Sequence, residues 1–252
     1  MASTQRRLSK KQQRKANQNQ NRQQMLMREI EPMTETQETL FDLYDEDNNV
    51  AAIGSAGTGK TMCALYLALS DVLELPEYDK VIVIRSAVQT REQGFMPGSK
   101  AQKEAVFTAP YVDIVNNLFG RGDAWEVLKS KQLIEFMTSS FVRGLTFDNA
   151  IIVVDECQSM TYHELDSIIT RVGESSKIIF CGDTAQDDLA TSRNRAEFSG
   201  LVDFIKVLRK IPSFKVVNFK TADIVRSGLV KEYIIAKENE SRNLRLVEPV
   251  RM

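Results

Sequence analysis

The run Gly54-Ser55-Ala56-Gly57-Thr58-Gly59-Lys60-Thr61 constrains this chain more than any other stretch. It satisfies G-x-x-x-x-G-K-[ST] and stands between a short apolar run, Val50 to Ile53, and a helical pattern from Thr61 to Leu75 that Pro76 stops. Glycines and small residues let successive main-chain N–H groups converge on phosphate oxygens, and the N-terminal end of the next helix adds positive partial charge. Gly54, Ser55, Ala56, Gly57, Thr58, Gly59 and Met62 are therefore expected to surround a phosphate chain. Lys60 is expected to reach the β- and γ-phosphates, and Thr61 to offer its hydroxyl to Mg2+.

A loop of this kind needs a sheet whose strands all end beside it. Val81 to Arg85, Ile151 to Val154 and Lys177 to Phe180 are short, nearly continuous apolar runs, as strands covered on both faces of a parallel sheet require. Leu133 to Met137 and Phe214 to Phe219 read as further strands. Helical patterns lie between: Thr34 to Tyr44, Gln102 to Phe119, Ala124 to Lys129, Tyr162 to Val172, Ser199 to Arg209 and Ala222 to Lys237. Strands alternating with helices predict an α/β domain of the P-loop NTPase kind, a doubly wound, mostly parallel sheet with helices on both faces.

Two other strand ends carry the chemistry. Ile151 to Val154 runs into Asp155-Glu156, so both acids are expected at the carboxyl edge of the sheet, where ligands bind in such folds. Asp155 is assigned to Mg2+ and Glu156, the carboxylate left over, to the attacking water. The strand at Lys177 runs into Gly182-Asp183-Thr184-Ala185-Gln186, and Gln186 is the candidate sensor of the γ-phosphate. No N-K-x-D or T-K-x-D segment selects guanine, which makes ATP the expected nucleotide. Gln37, ahead of the first strand, can hydrogen-bond an adenine edge through its amide; a place on a helix surface is the alternative.

Composition narrows the remaining options. With 252 residues, 42% of them hydrophobic, the chain is long enough for one well-cored domain and short for two. No apolar run approaches the roughly 20 residues that span a bilayer, and no apolar stretch follows the basic N-terminus, so neither a membrane span nor a secretory signal is expected. Cys63, Cys157 and Cys181 are widely spaced and form no C-x-x-C pair, which argues against disulfides and zinc and fits a cytoplasmic setting. His163 is the only histidine and no G-x-S-x-G elbow accompanies it, which argues against a serine hydrolase.

The net charge of −1 conceals a division. Residues 1–28 hold eight Lys and Arg and no acid, leaving −9 for the remainder, and the same stretch carries seven Gln and three Asn. Residues 1–30 are accordingly expected to form a basic tail, 31–240 the domain, and 241–252 a polar C-terminal tail. The basic tail can grip a phosphate backbone, or it can be a solvated arm.

These residues together resemble the PhoH-like family, single-domain relatives of the superfamily 1 helicase motor, from about Thr34 to Glu238. Beyond the phosphate loop, the resemblance rests on Arg85-Ser86-Ala87-Val88, Gly94 to Gly98, Pro110-Tyr111 with Asp113, Arg143 to Phe147, Asp155 to Ser159, and Ile169 to Gly173. It continues through Gly182-Asp183 to Gln186-Asp188, Ser199-Gly200-Leu201 and Asp223-Ile224-Val225-Arg226. The chain departs from the family pattern at Ser86, at Leu145, where a basic residue is usual, and at Ser227. The resemblance implies a RecA-like fold, ATP hydrolysis with Mg2+, and action on RNA or single-stranded DNA as a helicase or remodelling motor. It makes Arg226 the candidate arginine finger. Because a helicase motor closes two domains over one nucleotide, it further implies a homo-oligomer, a hexamer, in which Arg226, Arg143 or Arg171 completes a neighbour's site. The small size resembles bacteriophage-encoded members, which implies action in the cytoplasm of a bacterial host.

Overall fold

The computed structural model describes residues 25–86, 100–183 and 200–247. The order of elements is α1 (Glu35–Asp45), β1 (Asn49–Gly54), α2 (Lys60–Glu74), β2 (Lys80–Arg85), α3 (Lys100–Phe119), α4 (Ala124–Ser130) and β3 (Ile134–Thr138). Then follow β4 (Ala150–Asp155), α5 (Tyr162–Ile169), β5 (Lys177–Gly182), α6 (Leu201–Leu208), β6 (Phe214–Phe219) and α7 (Gly228–Val247). Six strands form one sheet in the order β3-β2-β4-β5-β1-β6, and every pairing is parallel.

The continuous apolar runs make sense once the strand period of two is applied. Val50, Ala52, Val81, Val83, Ile151, Val153 and Ile179 point to one core, where Leu40, Leu65, Leu69, Tyr111, Leu118 and Trp125 of α1 to α4 cover them. Ala51, Ile53, Ile82, Ile84, Ile152, Val154 and Phe180 point to the other, under Leu165, Ile168, Phe204 and Leu208 of α5 and α6. A fully buried Leu, Ile or Phe contributes about 1.5–3 kcal/mol, and β4 and β5 are buried along their whole length. The RecA-like, doubly wound α/β fold expected from the sequence is the one observed.

Several boundaries differ from expectation, and three of them matter for the tails and the site. Residues 25–30 are not tail: Met25 is buried in the core, and the Arg28 N–H donates to the Leu118 carbonyl at 2.8 Å. Residues 222–227 are not helical; Thr221–Asp223 make a short 3-10 turn, and an extended segment follows before α7 begins at Gly228. That helix then runs through Val247, past the boundary placed at 240.

Candidate nucleotide-binding site

The phosphate loop is held from beneath by strand β6 and the segment after it. Gly54 adopts φ +137°, and a Cβ there would collide with the Phe219 carbonyl, which also accepts from the Ser55 N–H at 3.2 Å. Gly57, at φ +74°, lies against the Arg226 side chain, whose Cγ would be 2.9 Å from a Cβ on the glycine. The Val225 N–H donates to the Gly57 carbonyl at 3.1 Å. This main-chain link explains why α7 does not begin before Gly228: a helix through Val225 would use that N–H internally.

Lys60 opens α2 and folds back over its own loop. Its ammonium donates to the carbonyls of Gly54 at 2.8 Å and Ser55 at 2.7 Å. Burial pushes the Lys60 pKa down, against the pull of Asp183, Asp155 and Glu156. Thr61 donates its hydroxyl to Asp155 Oδ1 at 2.9 Å, which joins residues 94 positions apart in sequence. The other oxygen, Oδ2, accepts from the Tyr111 hydroxyl of α3 at 3.0 Å. Burial raises the Asp155 pKa despite both donors, and it raises that of Glu156, where the neighbouring Asp155 adds to the effect.

Glu156 occupies the left-handed region at φ 54° and ψ 43°, a conformation that costs a non-glycine residue of order 1 kcal/mol and turns the chain sharply off the end of β4. Its Oε2 accepts from Gln158 Nε2, and Gln158 Oε1 accepts from the Asp183 N–H at 3.0 Å. Gln158 thereby ties the end of β4 to the end of β5.

These groups line one cleft of about 660 Å3, bounded by Met33, residues 56–62, Arg85, Ile114, Asp155, Glu156, Gln158, Asp183 and Arg226. Lys60, Thr61, Asp155, Glu156 and Arg226 are therefore brought together in one chain. Arg143 and Arg171 are not among the residues of this cleft; Arg143 is exposed in the turn after Val142, and Arg171 lies beyond α5, with Nε buried and unpartnered. Gln186 lies outside the described residues.

Gln37 is placed beside the loop, with its amide bonded to main chain on both sides. Only 3% exposed, it donates Nε2 to the Thr58 carbonyl at 2.9 Å, and its Oε1 accepts from the Met33 N–H at 2.7 Å. Both ends of the amide are engaged with the main chain, so Gln37 braces the loop.

Among the described residues no group of three His, Cys, Asp or Glu could cage a metal. The donor set nonetheless suits Mg2+, which takes few protein oxygens and keeps water and substrate phosphates as its other ligands. Thr61 Oγ1 and Asp155 Oδ1, already 2.9 Å apart, are the oxygens that would hold it. Tyr111, Gln158 and Arg85 were not picked out as site residues from the sequence. All three did stand in motifs shared with the PhoH-like family, Gln158 two positions after Glu156.

A sequence profile described as PhoH-like protein matches residues 29–238. A PhoH-like protein of Mycobacterium leprae is 32% identical over 208 residues, 82% of this chain and 58% of that one. One of Bacillus subtilis is 33% identical over 193 residues, 76% of this chain and 59% of the relative. The chain thus spans under two thirds of the length of these curated relatives. Among solved structures, the large terminase of a thermophilic bacteriophage in complex with ADP superposes with a TM-score of 0.45 at 12% identity, covering 87% of this chain and 51% of that chain. With the phosphate loop, the acidic pair and the parallel sheet in place, the profile match over residues 29–238 shows that this chain belongs to the PhoH-like family of P-loop proteins.

Proposed function

We propose that the chain binds ATP in this cleft and hydrolyses it with Mg2+, and that turnover is coupled to RNA or single-stranded DNA. The observation that carries the reading is the 2.9 Å contact between Thr61 and Asp155, which sets the metal-binding oxygens beside the phosphate loop and the Glu156 carboxylate one residue away.

In this mechanism the main-chain amides of residues 56–61 bind the triphosphate. Lys60 exchanges its loop carbonyls for β- and γ-phosphate oxygens, and Gln37 and Val225 keep the loop from spreading. Mg2+, which Thr61 and Asp155 would hold, would supply charge neutralisation for the triphosphate. Glu156 leaves Gln158, accepts a proton from water, and directs the water oxygen at the γ-phosphorus as the bond to the ADP oxygen breaks, giving ADP and phosphate. Arg226 offsets the charge that spreads onto the departing phosphoryl group. Gln186 senses loss of that group.

Coupling to nucleic acid rests on the eight positive charges of residues 1–28 and on the resemblance to helicase motors. Assembly into a homo-oligomer, a hexamer, would line those segments around one strand, in the cytoplasm of a bacterial host. Steady-state ATPase assays with and without poly-U RNA, alongside native mass, test the reading. It predicts turnover that rises at least about tenfold with RNA; hydrolysis indifferent to RNA would reduce the protein to a nucleotide-gated assembly switch, and no hydrolysis would end the proposal.

A further inference from the structure

The cleft contains a second arginine with no assigned task. Arg85 is the last residue of β2, in register with Asp155 on β4 and Thr138 on β3, and it lines the cleft with Lys60, Thr61 and Glu156. It is half-buried, and its charge is close enough to favour the ionised forms of Asp155 and Glu156. A structural arginine in such a place closes an ion pair with a neighbouring carboxylate. The Arg85 side chain closes none and makes no hydrogen bond among the described residues.

The reason lies in the other partners of the two acids. Asp155 Oδ1 is taken by Thr61 and Oδ2 by Tyr111, while Glu156 Oε2 is taken by Gln158. Arg85 lines the cleft with a guanidinium whose five N–H donors form a rigid fork, suited to paired oxygens of a phosphoryl group. The position also fits. Strand β2 lies three strand spacings from β1, about 14 Å, so the phosphate loop and Arg85 stand on opposite sides of the Asp155-Glu156 edge. An anion reaching past Thr61 and Asp155 arrives between Glu156 and Arg85.

We propose that Arg85 is a catalytic arginine supplied in cis, contacting the terminal phosphoryl group of a nucleotide seated on the phosphate loop. The inference rests on the ATPase reading and alters one part of it: with Arg85 on one flank and Arg226 on the other, the site holds its arginines within one chain.

Arg85→Ala and Arg85→Lys would be compared with the parent for kcat, for affinity towards a fluorescent ATP analogue, and for binding of ADP with and without aluminium fluoride. Both substitutions are expected to lower kcat by about 100-fold or more, to leave ATP-analogue affinity within about threefold, and to abolish the tightening of ADP by aluminium fluoride. Arg85→Lys keeps the charge and the stem, so it also serves if the alanine variant fails to fold. Mixing Arg85→Ala with Lys60→Ala subunits should restore nothing, because both defects fall in the same site. A kcat within about threefold of the parent in both variants, or recovery of activity on mixing, would overturn the assignment while leaving parental ATP hydrolysis intact. A parent without turnover would overturn the functional reading itself, and this assignment with it.

Discussion

The sheet carries a polar cluster at each end, and the two are built on opposite principles. At the amino edge Lys177, the first residue of β5, donates to the Tyr44 carbonyl at 3.0 Å, lies 4.0 Å from the Tyr44 ring centre, and pairs with Asp47 at 3.2 Å. The Tyr44 hydroxyl in turn donates to Asp71 at 2.8 Å. Burial raises the pKa of both Tyr44 and Asp71. This cluster satisfies itself. At the carboxyl edge the Lys60 ammonium is hydrogen-bonded to main-chain carbonyls of its own loop and weakly to Thr58, two arginines line a cavity, and Glu156 holds a strained backbone conformation. Both clusters place charge where burial is costly; only one leaves room and unfilled donors for a ligand.

Substitutions should separate the two ends cleanly. The largest effect is expected for Lys60→Ala and Glu156→Gln, each lowering ATP turnover by about 1,000-fold or more while the melting temperature stays within about 2 °C of the parent. Glu156→Gln should in addition retain bound ATP through gel filtration. If it hydrolysed ATP at the parental rate, another group would have to act as the base.

Lys177→Met should do the reverse, lowering stability by about 2–3 kcal/mol in urea melts, because Tyr44 and Asp71 lose the cation between them, with KM for ATP unchanged. A change in KM without loss of stability would erase the distinction between the two edges. Tyr111→Phe removes one oxygen. It should cost about 1 kcal/mol of stability and raise the Mg2+ concentration for half-maximal activity several-fold, since Asp155 loses the donor that orients it. Smallest of all, Gln37→Ala should weaken ATP binding a few-fold by loosening the loop at Thr58, with the ratio of ATP to GTP affinity unchanged. A collapse of that ratio would return Gln37 to the role of adenine reader.

The strands and the phosphate loop were legible in the sequence because their causes are local. A strand buried on two faces must be apolar throughout, as Ile151 to Val154 is, and the loop must be glycine-rich to expose its amides. What escaped depends on contacts between distant segments. Tyr111 meets Asp155 across 44 residues, and Gln158 meets Asp183 across 25, and neither spacing leaves a trace in periodicity. The stretch before Gly228 was read as helix because Ala222 to Lys237 carries helical apolar spacing; the tertiary bond from Val225 to Gly57 overrides that preference. Gln37 was read from its amide as a candidate adenine contact, and the main-chain partners of that amide could be found only from the fold.

The most direct test is a crystal structure of Glu156→Gln grown with ATP and Mg2+. The account predicts a triphosphate among the main-chain amides of residues 56–61, with Lys60 withdrawn from Gly54 and Ser55 onto its oxygens and Asp155 facing the metal. Nucleotide bound elsewhere, with Lys60 still folded over its own loop, would contradict it.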